Sequence, residues 1–132
     1  MARLFKLNKG DILHDKIVEI CKTNNIRTAF LQGIGGFDHA IIAYFNHELK
    51  RYEEKEYNEQ FEVISLQGNV SLKDGEPFVH MHVVLSRRDM TTLGGHLIKG
   101  RVNPFIELVI EETTNVAHRV FDENIGLYVL KI

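Results

Sequence analysis

The chain has 132 residues, of which 44% are hydrophobic and 26% charged, the balance expected of a soluble globular domain. Its formal net charge of −2 provides no overall positive field that would attract nucleic acid or anionic lipid. The single cysteine, Cys21, excludes an intrachain disulfide. No targeting segment is visible and no apolar run approaches the ~20 residues of a membrane span. We therefore expect one domain, residues 1–132, in the cytoplasm.

One amphipathic helix is predicted near the start of the chain. Apolar residues at positions 12, 13, 17, 20 and 21 share one face at helical spacing. Asp11 precedes them and is interpreted as the N-cap, since a carboxylate there accepts hydrogen bonds from the first helical turn. Asn24-Asn25 predicts the helix end, because asparagine tolerates the left-handed conformation.

Strands are predicted for most of the remaining chain. The segments with alternating or continuous apolar residues are 26–34, 40–45, 49–57, 60–70, 78–85, 105–111 and 126–132. Asp74-Gly75 predicts a tight turn between two of them. Residues 89–93 are compatible with either a turn or a short helix.

Three histidines carry the clearest chemical signal. His80 and His82 lie one residue apart in an apolar run, so a strand points both side chains the same way, with Cβ atoms roughly 6.5–7 Å apart. One metal ion can bridge that spacing. His96 follows Gly94-Gly95, which allows close approach to another element. Three imidazoles with an open fourth position are typical of catalytic zinc. The alternative is that these histidines only make hydrogen bonds.

Two glutamates are candidates for a supporting role. Glu62 and Glu107 lie in apolar strands, where an unpaired buried carboxylate is costly. In the functional interpretation, one of them orients a ligand imidazole or acts as general base on a metal-bound water. The alternative is an outward-facing position in water.

Other conspicuous residues are given structural interpretations. The segment Gln32–Gly36 is interpreted as a glycine-rich strand corner rather than a phosphate loop, because no helix follows it. Cys21 is expected to be a small buried hydrophobe. The remaining histidines are expected at the surface or in capping positions: His14, His39, His47 and His118.

The order of several motifs resembles the PPC domain, the "plants and prokaryotes conserved" domain. The matching runs are Phe61–Gly68, Pro77–His82, Gly94–Leu97 and Glu107, with Gly10-Asp11 and Gly33–Gly35 ahead of them. The chain has no Arg-Gly-Arg-Pro hook and has Glu59-Gln60 where plant members have Gly-Arg. It therefore resembles the stand-alone prokaryotic type.

This resemblance implies an α+β fold in which a curled antiparallel sheet is packed by a helix, similar to the acetolactate decarboxylase fold group. It also implies a homotrimer with subunit boundaries near the histidines. By the same resemblance His80, His82 and His96 are zinc ligands, with one ion per subunit.

Three functions follow as hypotheses. The first is a DNA-binding or regulatory PPC protein. The net charge argues against DNA binding. The basic pairs Arg87-Arg88 and Lys99/Arg101 are interpreted as solvated surface. The second is a metal-dependent enzyme acting on a small oxo- or hydroxy-acid, with Glu62 or Glu107 transferring the proton. The third is a structural role for histidines without metal.

Overall fold

The computed structural model describes residues 1–132 as eight strands and one helix. In chain order the elements are β1 (Ala2–Asn8), α1 (Leu13–Thr23), β2 (Ala29–Asn46), β3 (Arg51–Tyr57), β4 (Phe61–Lys73), β5 (Glu76–Ser86), β6 (Thr92–Glu112), β7 (His118–Asp122) and β8 (Leu127–Lys131). The helix has 11 residues, and no helix of the protein is long and apolar enough to cross a membrane.

All eight strands belong to one sheet that curls until it meets itself. β2 pairs with both β6 and β4, and β5 pairs with both β4 and β6, so the pairing around these four strands returns to its start. β1 adds to β6, β3 adds to β2, and the β7–β8 hairpin adds to β4 through a short parallel contact. The predicted curled antiparallel sheet with a packed helix is present. The α+β class that the resemblance implies is present only in part, because the fold is mostly β with a single helix.

The core lies between the helix and the concave side of the sheet. Leu13, Ile17 and Cys21 are buried on one face of α1, which packs against β5 and β6. Cys21 is only 1% exposed, as expected of a small hydrophobe. Burial of each Leu or Ile side chain contributes roughly 1.5–3 kcal/mol, so this face fixes the helix on the sheet.

The boundaries of α1 partly agree with the sequence prediction. Asn25 adopts a left-handed φ of 54° directly after the helix, which confirms the predicted end. The predicted cap at Asp11 is wrong, because the helix begins after Ile12 and has no side-chain cap. The Asp11 carboxylate instead accepts a hydrogen bond from the backbone N–H of Asn8 at 2.8 Å and closes the β1–α1 turn.

Several strands are longer than predicted. β1 and β7 were not expected, the two segments 26–34 and 40–45 form the single strand β2, and β6 begins at Thr92 instead of residue 105. Residues 89–91 of the segment 89–93 lie in the turn before β6, residues 92 and 93 belong to β6, and Asp74-Gly75 is the predicted turn. Glycine and proline in β2 and β6 look like strand breaks in the sequence, yet the structure keeps them in the sheet.

The segment Gln32–Gly36 is a strand irregularity, as predicted. The β2–β4 and β2–β6 registers shift on either side of Gly35. Gly35 has a φ of 147°, and a Cβ there would overlap the backbone of Phe105. Glycine is therefore required where β2 bends closely against β6.

Candidate metal centre

Strand β5 separates the core from the candidate site. Met81, Val83 and Leu85 are buried in the core, so His80 and His82 project from the opposite face of the same strand. Gly68 supports this arrangement from β4, because a Cβ at that position would overlap the carbonyl oxygen of His80. Close approach of β4 thus fixes the backbone that carries the two histidines.

A β-bulge brings His96 to the same place. On β6, Ile41 of β2 pairs with Lys99 while Ile42 pairs with Leu97, so Ile98 is an extra residue. The bulge exchanges the faces of β6 and puts Leu97 in the core and His96 on the other side. His96 then lies directly opposite His82 across the β5–β6 pairing.

The three imidazoles converge. One ring nitrogen from each of His80, His82 and His96 lies within 4.8 Å of the other two. Nε2 of His80 and Nε2 of His82 are 3.2 Å apart, close to the roughly 3.3–3.4 Å between two ligands of a tetrahedral zinc ion with bonds of about 2.0–2.1 Å. The donor set and its spacing therefore fit a metal with three protein ligands.

His96 is held by an aromatic contact but lacks a hydrogen bond. Tyr52 of β3 stacks on it, with ring centroids 4.4 Å apart and planes inclined by 20°. Its Nδ1 atom is buried and has no hydrogen-bond partner in the protein. A buried polar atom without a partner is costly, and a bound ion or a ligand water would satisfy it.

The electrostatic environment favours the neutral form of His80 and His96. Burial lowers the pKa of His96 to about 4, with further lowering by His80, His82 and His14. Burial also lowers the pKa of His80, followed by the charges of His82 and Arg119. Neutral imidazole is the form that binds a metal, so protons compete weakly with an ion at neutral pH.

A cavity of about 650 Å³ opens beside the histidines. His80, His82 and His96 form part of its wall, and Arg119 of β7 forms another part. The wall contains no aspartate or glutamate. Most of the rest is apolar, and six aromatic residues line it: Tyr44, Phe45, Tyr52, Phe78, Phe121 and Tyr128.

The β7–β8 hairpin covers this cavity. Its first strand begins beside Leu72 of β4. At its far end, Lys50 of the β2–β3 turn donates a hydrogen bond to the carbonyl of Glu123 at 3.0 Å. The hairpin therefore extends from the β4 edge to the β3 edge and contributes Arg119 and Tyr128 to the cavity wall.

The structure places the predicted glutamates elsewhere. Glu62 and Glu107 line a second cavity of about 460 Å³ on the outer face of the sheet, with Ile34, Ile64 and Phe105. Neither residue lines the histidine cavity of its own chain. A carboxylate in a supporting role is therefore missing from that cavity within one chain.

The other four histidines divide into two groups. His47 and His118 are exposed, as expected. The surface interpretation is wrong for His14, which lines the cavity with its Nδ1 atom buried, and for His39, which is buried and forms a 2.9 Å contact with the Glu56 carboxylate. His14 lies one residue from the buried Leu13, and this neighbour was the available signal for its burial.

The fold and the site together define a class of protein. Its members are small curled β-sheet domains with three histidines at the wall of an apolar cavity. Within that class, the chain belongs to the Plants and Prokaryotes Conserved (PCC) domain family, whose model matches residues 2–114. No curated protein matches the sequence.

Several solved structures are similar over nearly the whole chain. A metal-containing protein from Archaeoglobus fulgidus is 36% identical with a TM-score of 0.93, covering 100% of this chain and 94% of its own. A plant- and prokaryote-conserved (PPC) protein from Pyrococcus horikoshii is 37% identical with a TM-score of 0.93, covering 100% and 92%. A protein from Bacteroides thetaiotaomicron, named as a proposed DNA-binding protein, is 26% identical with a TM-score of 0.94, covering 98% and 91%.

A more distant similarity concerns the fold alone. Alpha-acetolactate decarboxylase from Bacillus subtilis is 12% identical with a TM-score of 0.64, and the similarity covers 96% of this chain and 59% of that enzyme. The expected relation to the acetolactate decarboxylase fold is therefore present at the level of architecture.

The low pKa of His96 predicts that metal-free protein loses stability as pH falls from about 6.5 to about 4. Between these two pH values His96 is protonated in the unfolded chain but not in the folded protein. The free energy of unfolding therefore decreases as the pH falls, and this decrease ends below about pH 4. Urea unfolding of EDTA-treated protein at pH 7 and pH 5 measures this change.

His96→Phe is the informative variant, because it keeps an aromatic ring beside Tyr52 but cannot titrate. Its stability should depend less on pH than that of the wild type. The exposed His118→Phe is the matched control and should keep the wild-type dependence. Equal pH dependence in all three proteins contradicts the assignment.

Proposed function

We propose that this chain is a metal-dependent binding domain in which His80, His82 and His96 hold one zinc ion per subunit. The observation that carries this proposal is the convergence of three imidazoles at the wall of an apolar cavity. With three protein ligands, a tetrahedral ion keeps one position for a small ligand or water. The ion then gives this mostly apolar cavity a polar group that can bind a ligand.

Zinc is the first choice among metals. Imidazole suits zinc, copper, iron and nickel, whereas magnesium and calcium prefer oxygen ligands, which the cluster lacks. The name of the Archaeoglobus relative, a metal-containing protein, supports a bound metal without indicating which one. When bound, such an ion supplies a Lewis acid and an exchangeable fourth position. The chain's own histidines fix where that position lies.

Alanine at any one of the three histidines should abolish zinc binding. We expect about one zinc ion per wild-type chain and a background level in His80→Ala, His82→Ala or His96→Ala, because two imidazoles make a weak site. Elemental analysis of untagged protein after dialysis against zinc measures the content. His47→Ala, at an exposed position in the same cavity wall, is the control and should keep the ion. Full zinc content in His96→Ala contradicts the three-histidine site.

We further propose that the protein is a homotrimer assembled through the outer face of the sheet. That face carries large exposed apolar side chains, an unusual number for one surface of a small monomer: Phe30, Ile34, Ile64, Val84 and Phe105. His82 lies on the same face and shares a shallow groove with Phe30 and Gln67. This placement supports a subunit boundary close to the histidines.

A charge on the outer face should dissociate the trimer. Ile64, which is 54% exposed, would be desolvated in the proposed interface, so Ile64→Asp puts an unpaired carboxylate there from each subunit. Light scattering should give about three times the 15.2 kDa chain mass for wild type and one chain mass for the variant. Met90→Asp, at a fully exposed turn residue, is the control. A wild-type monomer at micromolar concentration contradicts the trimer.

Metal-dependent catalysis on a small oxo- or hydroxy-acid is a second candidate function. The similarity to acetolactate decarboxylase supports the fold of such an enzyme but not its chemistry. Glu62 and Glu107 lie on the outer face that the proposed trimer covers, so they point toward a neighbouring subunit instead of their own cavity. Within one chain the geometry supports ligand binding more directly than proton transfer.

DNA binding or regulation is the third candidate, and it is supported by the name of the Bacteroides relative. One member of each basic pair is neutralised by a carboxylate, because Arg87 pairs with Glu59 at 2.8 Å and Arg101 with Asp38. We therefore expect no salt-dependent binding in fluorescence anisotropy with duplex DNA at low ionic strength. Binding that weakens steeply with added salt would favour this candidate instead.

A further inference from the structure

We propose that the ligand of the cavity is a small organic carboxylate with an apolar body, and that Arg119 binds its carboxylate while a second oxygen of the ligand completes the metal site. This inference deepens the proposed function and rests on it for the metal. It depends on four features of the cavity: the position of Arg119, its hydrogen bonds, the charges around it and the aromatic walls.

Arg119 lies beside the histidines. Its Nη2 atom donates to Asn69 Oδ1 at 2.8 Å, and Asn69 is the β4 partner of His80 in the sheet. Its guanidinium also lies 5.2 Å from the ring centre of Phe78, two residues before His80 on the same face of β5. The arginine and the metal ligands therefore share one wall of the cavity.

Neutral groups hold the Arg119 side chain in place. Nε donates to Ser71 Oγ at 2.9 Å, and Nη1 donates to the carbonyl oxygen of Tyr128 at 3.2 Å. With the bond to Asn69, three of its five N–H donors are used, so two remain for a ligand. The guanidinium is thus pre-organised without being neutralised, as a planar fork for a carboxylate requires.

No acidic residue balances this charge. Arg119 forms none of the ion pairs of the protein, whereas the other two half-buried arginines, Arg3 and Arg87, each pair with a glutamate. The cavity wall contains no carboxylate. A partly buried positive charge without a counter-ion is unfavourable, so we expect an anion to bind beside Arg119 in this cavity.

Metal binding strengthens this requirement. Three neutral imidazoles leave the full charge of a divalent ion uncompensated, and that charge then shares the cavity with Arg119. A ligand anion that contacts both groups offsets their mutual repulsion. A neutral ligand leaves both charges unpaired.

The remaining walls define the body of the ligand. A volume of about 650 Å³ suits a small molecule. The aromatic rings of Phe45, Phe78 and Tyr128 line it, and tyrosines are the only polar lining residues besides the histidines and Arg119. A sugar or a phosphate ester would leave several polar groups without partners, whereas an aryl or alkyl chain would not.

The test compares three probes on zinc-loaded protein by titration calorimetry: 3-phenyllactate, its neutral amide and phenyl phosphate. We expect the acid to bind about tenfold to a hundredfold more tightly than the amide, the effect of a charge-assisted hydrogen-bond pair. Arg119→Gln should reduce that preference by about tenfold, the loss of the charge-assisted pair, and leave only the part that the metal supplies. Arg88→Gln, which removes an exposed arginine without an ion pair, should leave it unchanged.

Three results would overturn the proposal. In the first, the acid and the amide bind wild type equally, or neither binds at millimolar concentration. In the second, the full preference for the acid persists in Arg119→Gln, which assigns it to the metal alone. In the third, phenyl phosphate binds best. If Arg119→Gln does not fold, as judged by thermal unfolding, Arg119→Lys serves instead, and it should weaken the preference because it keeps the charge but loses the fork.

Zinc content separates this inference from the proposed function. Arg119→Gln should keep one zinc ion per chain, since it changes no metal ligand, and a loss of zinc in this variant would overturn the separate role given to Arg119. If wild type binds no zinc, the proposed function fails. A carboxylate preference that depends on Arg119 would still be measurable in that metal-free protein and would support the anchor.

Discussion

Alternation of side chains along β5 is the constraint on which the site depends. Met81, Val83 and Leu85 are buried together, and each contributes roughly 1.5–3 kcal/mol by burial. A shift of the strand by one residue would expose all three and bury His80 and His82. The hydrophobic core therefore fixes the direction of the histidines, and no metal is needed to set the register of the strand that carries them.

The features that depend on local periodicity were predictable from the sequence. The face of α1 followed from helical spacing, and the convergence of His80 with His82 followed from the period of a strand. The full length of β6 was not predictable, because Gly94-Gly95, Gly100 and Pro104 resemble strand breaks. Their reason lies in another strand: a Cβ at Gly95 would approach the carbonyl oxygen of Ala43 of β2 at 2.8 Å. That neighbour is known only once the sheet has formed.

The lining of the cavity could not be predicted from the sequence for the same reason. Tyr52 and Arg119 come from β3 and β7, which are far from the histidines in the chain and reach them only when the sheet curls and the hairpin crosses. Nothing near Arg119 in the sequence distinguishes it from an edge-strand arginine. Its importance arises from the absence of a nearby carboxylate, and such an absence is visible only in three dimensions. The bulge at Ile98 is a similar case, because it reverses the face on which His96 emerges.

The distribution of tyrosines gives the cavity its own optical signature. The chain has no tryptophan and four tyrosines, so these rings dominate its near-ultraviolet absorption and fluorescence. Tyr44, Tyr52 and Tyr128 line the cavity, and Tyr57 alone does not. Absorption of this protein near 280 nm thus comes mostly from tyrosines in the cavity wall. The near-ultraviolet spectrum of the protein therefore describes the cavity more than the molecule as a whole.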